Sequence, residues 1–221
     1  MTFGEAPRVG FIGDTGTGKS RAMKALVAGW LARNPGVALI GDKGGSSGFE
    51  GQKRISRSDL RLHPMAPSPR SLVFTGDLSA GLDPDLEDIA HFAWQLRSGR
   101  TGSIVVADEL KWLARGGWWR KGVKWFPQCC TEGRKHDIGV AWAALSPQDA
   151  PREAIEEAGF LVVYRLAGLG VRCLADRNYL IGVPDGTLEA LPGEETPPSE
   201  RGRCMILRRG RPWDGRFHRF P

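Results

Sequence analysis

The 221-residue sequence contains no run of eighteen apolar residues, so no membrane-spanning helix is expected. No basic segment leads into an apolar core at the N-terminus, so no secretory signal is expected either. Cysteine is scarce: four in all, with Cys129 and Cys130 adjacent. That spacing builds neither a disulfide framework nor a zinc site. We expect Cys129, Cys130, Cys173 and Cys204 to be packing residues in a reducing cytoplasm. No internal repeat is present, and the charge excess is mild, at +6 with a pI near 9.4. Such a balance attracts polyanions without proving that one binds. The basic residues cluster at Lys53 to Arg61, at Lys111 to Lys124 and in the tail from Arg201 to Arg219.

Glycine and tryptophan are plentiful, with 30 and eight copies. Three of the glycines fall in Gly13-Asp14-Thr15-Gly16-Thr17-Gly18-Lys19-Ser20, a complete G-x-x-x-x-G-K-[ST] phosphate loop. Gly13, Gly16 and Gly18 let the backbone wrap tightly with its N–H groups turned inward as an anion nest. The following helix, beginning near Arg21, adds its positive end. Lys19 would reach the β- and γ-phosphates, and the Ser20 hydroxyl would hold Mg²⁺. The context is right. Arg8 to Ile12 is a short apolar strand, and Arg21 to Arg33 carries Ala22, Met23, Leu26, Val27, Trp30 and Leu31 at helical spacing.

Strands are expected at residues 37–40, 72–75, 103–107, 139–145, 160–166 and 205–207, and helices at 83–97, 110–113, 123–135 and 151–158. Residues 43–70 read as a long loop with room for one short element. Alternating apolar strands and amphipathic helices predict an α/β fold with a mostly parallel central sheet and helices on both faces. We expect residues 1–168 to be the P-loop core. Residues 169–221 would be a short β extension packed on it, ending in a basic tail.

Ile104 to Ala107 run straight into Asp108-Glu109 at the end of a central strand. An Asp there supports Mg²⁺, and an adjacent Glu orients and deprotonates water. The Glu favours hydrolysis over phosphoryl transfer to a metabolite. No Asn-Lys-x-Asp guanine signature is present, which favours ATP over GTP.

Residues 133–147 (Gly133-Arg134-Lys135-His136-Asp137 into the strand ending Leu145-Ser146-Pro147), then Pro151-Arg152-Glu153 and Phe160 to Leu166, resemble the FtsK/HerA superfamily of DNA-pumping ATPases. The order of phosphate loop, Asp-Glu strand, sensor strand and final strand matches over residues 8 to 166. The resemblance implies a RecA/FtsK-like P-loop NTPase that assembles as a ring, commonly a hexamer, on double-stranded DNA. It also implies an arginine finger donated between subunits. Arg134 is the first candidate for that finger, with Arg97 and Arg100 as alternatives. The superfamily's polar sensor is a Gln just before the proline. Here Ser146 or the displaced Gln148 would have to serve.

Small size favours the genome-packaging branch found in membrane-containing icosahedral viruses, with a procapsid vertex or membrane protein as docking partner. The setting would be the host cytoplasm or the virion. Alternatives are a P-loop kinase of a small metabolite and a nucleotide-gated phage assembly protein. Between Leu110 and Phe126, tryptophans Trp112, Trp118, Trp119 and Trp125 are interleaved with Lys111, Arg115, Arg120, Lys121 and Lys124. The segment suits a DNA-gripping pore loop, or tryptophans packed inward beneath solvated lysines.

Overall fold

Burial on both faces is what the apolar strands call for, and a wide sheet supplies it. The computed structural model describes residues 6–34, 36–42, 53–55, 71–75, 86–96, 102–110, 124–197 and 199–220, with 42, 53–55 and 71–75 as backbone only. Among the described residues nine strands form one sheet: β1 (Arg8–Ile12), β2 (Val37–Asp42), β3 (Lys53–Ile55), β4 (Ser71–Thr75), β5 (Ser103–Ala107), β6 (Ile138–Ala144), β7 (Phe160–Val163), β8 (Arg203–Leu207) and β9 (Phe217–Arg219). Their order is β3-β4-β2-β5-β6-β1-β7-β8-β9. The first seven are parallel to their neighbours, and β8 and β9 continue the sheet antiparallel.

Five α-helices flank the sheet among the described residues: α1 (Lys19–Arg33), α2 (Leu86–Leu96), α3 (Trp125–Glu132), α4 (Arg152–Glu156) and α5 (Leu169–Asp176). Alternate strand residues face opposite cores. Val9, Phe11, Ile40, Ile104, Val106 and Val162 pack with Met23, Leu26, Val27 and Trp30 of α1. Leu39, Val105, Val140, Trp142, Leu161 and Val163 face the other way, onto α2, α3, α4 and Leu174 of α5. Helices therefore cover both faces, as the periodicity predicts. All four cysteines are buried and free. Burial pushes the Cys129 and Cys204 thiols up to about 12, as expected of packing residues.

Several boundaries differ from the sequence reading. The helix expected over 123–135 runs only from Trp125 to Glu132, and a 3-10 turn over Gly133–His136 follows it. Pro127 does not break it, because in the first turn its missing N–H has no intrahelical partner to lose. The N–H groups of Lys124, Trp125 and Phe126 are satisfied from elsewhere, by the Glu87 carboxylate of α2 at 2.6, 2.7 and 2.9 Å. The strand expected over 160–166 stops at Val163. Helix α5 and strand β9 carry no clear sequence signal. The helix from 110 is described only at Leu110.

Residues past Gly168 share the core of the preceding strands. Leu174, Tyr179, Leu188, Leu191, Met205 and Leu207 lie in the α2–α4 core. The Tyr179 hydroxyl donates to the Ile155 carbonyl at 2.6 Å. Cys204 joins the α1 core instead.

Candidate functional site

The phosphate loop leaves the carboxyl end of β1, flanked by β6 and β7. Gly13 has φ +146°, which side-chain-bearing residues rarely adopt. A Cβ there would also lie 2.7 Å from Cβ of Tyr164 and 3.0 Å from the Arg165 carbonyl. The loop is tied to β6 and to the segment after β7: Gly13 N–H donates to the Ala144 carbonyl at 3.3 Å, and Asp14 N–H to the Arg165 carbonyl at 3.2 Å. Beneath it, the buried Tyr164 hydroxyl reaches the Gly18 carbonyl at 3.4 Å. That packing is why the final parallel strand ends at Val163: Tyr164 and Arg165 serve as the floor of the loop.

Helix α1 starts at Lys19 with Gly18 as N-cap in the left-handed region. No side chain caps it, and its first turn contains no acid. Its positive end and its leading N–H groups are thus open to an anion. The Lys19 ammonium donates to the carbonyls of Gly13 and Asp14, both at 2.6 Å. Burial pushes Lys19 down to about 8, and the nearby Glu109, Asp14 and Asp108 carboxylates oppose that shift.

The acidic pair enters from two strands away. β5 is separated from β1 by β6 alone, and Trp142 of β6 is level with both Gly10 and Ala107. Asp108 and Glu109 therefore emerge at the height of the end of β1, about 10 Å across the sheet. A cavity of about 360 Å³ is lined by Thr15, Gly16, Thr17, Gly18, Lys19, Ser20, Arg21, Asp108, Glu109 and Leu145. The loop residues and the Asp-Glu pair, read separately in the sequence, thus share one pocket. Among the described residues no cluster of three or more His, Cys, Asp or Glu side chains exists. The Ser20 hydroxyl and Asp108 carboxylate are hard oxygen donors in this pocket, as are Thr15, Thr17 and Glu109. The first two suit a Mg²⁺ ion that takes its remaining ligands from phosphate and water.

The other sequence candidates fall elsewhere. Leu145 lines the pocket, whereas Ser146 and Gln148 do not. The Ser146 hydroxyl is occupied in a capping box: it accepts from Gln148 N–H at 3.4 Å, while Ser146 N–H donates to Asp149 at 3.1 Å. Gln148 is exposed. Arg134 is exposed in the turn before β6. In a parallel sheet that is the end remote from the pocket. Arg97, Arg100, Lys111, Trp112, Arg115, Trp118, Trp119, Arg120 and Lys121 lie outside the described residues. Lys124 is described, exposed, with its ammonium 4.8 Å from the Trp125 ring.

Sequence reasoning missed a turn that packs on the outside of the loop. A turn at 193–196 lies over the loop, with Glu194 Cγ 3.4 Å from where a Cβ on Gly16 would stand. Arg165 sits between the loop and this turn, 3.9 Å from Asp14 and ion-paired with Glu195. Arg201 holds the turn from behind through the carbonyls of Thr196, at 2.6 Å, and Glu194. The run Gly193-Glu194-Glu195-Thr196-Pro197 reads as a turn, but nothing local says that it lies over residues 180 positions earlier.

No protein-family model matches the chain, and no curated protein matches it by sequence. Solved structures do. The genome packaging NTPase B204 from Sulfolobus turreted icosahedral virus 2, in complex with sulfate, matches with TM-score 0.71 at 14% identity, covering 99% of this chain and 98% of that one. The same protein in complex with ATP-gammaS gives TM-score 0.69 at 14% identity, with the same coverage. EssC (ATPases 2 and 3) from Geobacillus thermodenitrificans gives 0.58 at 16% identity, covering 96% of this chain and 40% of that one. Over nearly its whole length, the chain has the α/β P-loop fold of these ATPases.

Proposed function

We propose that this protein is an ATP-hydrolysing motor that moves double-stranded DNA, working as a ring in viral genome packaging. The observation that carries the reading is the single pocket holding an uncapped phosphate loop, Lys19, Ser20, Asp108 and Glu109. The fold shared with a packaging NTPase at 98% coverage of that chain supports the choice of task.

Each residue has a definite share of the work. The loop's N–H groups and the start of α1 bind the β-phosphate. Lys19 exchanges its two carbonyl partners for phosphate oxygens and stabilises the charge that develops on the γ-phosphoryl group. Ser20 and Asp108 would hold Mg²⁺, which would supply positive charge to offset that of the phosphates. Glu109 orients a water in line with the γ-phosphate and accepts its proton. It is this Glu, beside the metal-supporting Asp, that favours hydrolysis over transfer to a metabolite. Arg134, remote from its own pocket, could act as a finger only on a neighbouring subunit, which is the reading we retain for it.

Steady-state ATP hydrolysis, with and without long duplex DNA, tests the proposal. DNA should raise the rate. Glu109→Gln should lower it by about 10² or more while keeping affinity for an ATP analogue. Hydrolysis indifferent to DNA would reject the motor, and turnover unaffected by Glu109→Gln would reject the assigned base.

A further inference from the structure

Residues 201–221 contain seven arginines, no lysine and a single acid, Asp214, a net of +6. That equals the charge of the entire chain. The preceding 200 residues balance, with 24 basic and 24 acidic side chains. The net charge of the chain therefore resides in one segment, which forms the edge of the sheet through β8, β9 and their connection.

The arrangement of these arginines is not that of a neutralised surface. Arg203, Arg208, Arg209, Arg211, Arg216 and Arg219 are all exposed. Among the described residues none of them forms an ion pair. The one acid available, Asp214, accepts the backbone N–H of Arg216 at 3.0 Å instead. Arg203 and Arg219 stand directly opposite each other across the antiparallel ladder, a like-charge pairing that weakens a hairpin. Arg203 is held 4.0 Å over the ring of Phe217, and Arg208 4.3 Å over Phe160. Ring contacts of this kind pin a guanidinium while leaving its N–H groups to bind phosphate.

We infer that this hairpin is a second functional surface, binding the phosphate backbone of duplex DNA without reading its sequence. Arg203 and Arg219 mark the phosphate-loop end of β8, and Arg208, Arg209 and Arg211 follow its far end. The stripe thus spans about 15 Å along a strand of five residues. Duplex DNA presents one charge per about 1.7 Å of axis, so several phosphates can be engaged at once. Arginine rather than lysine suits bidentate phosphate recognition. The inference rests on the proposed DNA motor and places one of its DNA-binding surfaces on the β8–β9 sheet edge, which starts beside the phosphate loop at Gly202 and runs away from it.

The test measures binding of a short fluorescein-labelled duplex by fluorescence anisotropy across a salt series. It compares the full chain with a variant carrying Arg208→Ala, Arg209→Ala, Arg211→Ala and Arg216→Ala, all outside the pocket. The variant should bind at least about tenfold more weakly at low salt. The slope of log K against log salt should become shallower by about 0.9 for each phosphate that an arginine no longer neutralises. Affinity for an ATP analogue should be unchanged, which also shows that the variant is folded. The matching Arg→Lys variant should keep the salt slope. Unchanged duplex affinity in the Ala variant would overturn the inference and leave the motor standing. Unchanged affinity accompanied by self-association would assign the arginines to guarding the sheet edge instead. Wild-type protein that binds no duplex would reject surface and motor together.

Discussion

The Lys19 ammonium donates to the Gly13 carbonyl at 2.6 Å, so the side chain that must find phosphate is bonded to the loop that cradles it. Burial of the ammonium in that position is what makes Lys19 acidic for a lysine, at about 8. Phosphate oxygens would stabilise the charged form and raise that value again. Below pH 8 the ammonium is charged before and after binding, and affinity should be flat with pH. Above pH 8 the free protein has lost the proton and must recover it. Affinity for a non-hydrolysable ATP analogue should then fall by up to about tenfold per pH unit. Calorimetry at pH 8.5 in buffers of different ionisation enthalpy should show proton uptake on binding. No uptake would mean that Lys19 is already charged.

The acidic turn over the loop predicts a gain of affinity on mutation. Glu194 lies against Gly16, and Glu195 competes for Arg165 beside Asp14. A triphosphate arriving in the pocket is repelled by both carboxylates. The double variant Glu194→Gln, Glu195→Gln should bind the ATP analogue more tightly, by roughly threefold to tenfold at low salt, with the gain shrinking as salt is added. Weaker binding in titration calorimetry would show that the turn acts by holding the loop in shape.

How far the sequence can be read depends on whether a feature is local. The phosphate loop is a contiguous backbone motif, and β1 and β5 are apolar runs whose ends are set by Gly13 and Asp108; all three are legible. The two-sided burial of Leu39, Ile40, Val105 and Val106 is legible for the same reason. Helix α5 and the turn at 193–196 are not, because their positions depend on partners far away in sequence. Tyr164-Arg165-Leu166 read as strand for a related reason: they are apolar enough to continue β7, but Tyr164 is committed to the underside of the loop. The sensor expected at Ser146 or Gln148 depends on a one-residue register at the end of β6. There Leu145 faces the pocket, and Ser146 is engaged in the capping box.

Glu87 tests a structural claim independently of function. One carboxylate satisfies three N–H groups at the start of α3, across 37 to 39 residues of chain. Those donors would otherwise lack acceptors at a helix end that packs against α2. Glu87→Ala should cost about 2 kcal/mol, as for removal of charged hydrogen bonds at a cap, and lower the midpoint of thermal unfolding by several degrees. Glu87→Gln should cost less. Affinity for the ATP analogue should not change in either, because Glu87 lies outside the pocket; a change in affinity would contradict this.

Movement along DNA is what separates a motor from any other nucleotide hydrolase, and displacement of a triplex-forming oligonucleotide from linear duplex measures it. Wild-type protein should release the third strand when ATP is present. No release should occur with the non-hydrolysable analogue or with Glu109→Gln. ATP hydrolysis stimulated by DNA yet without displacement of the third strand would contradict the proposed motor.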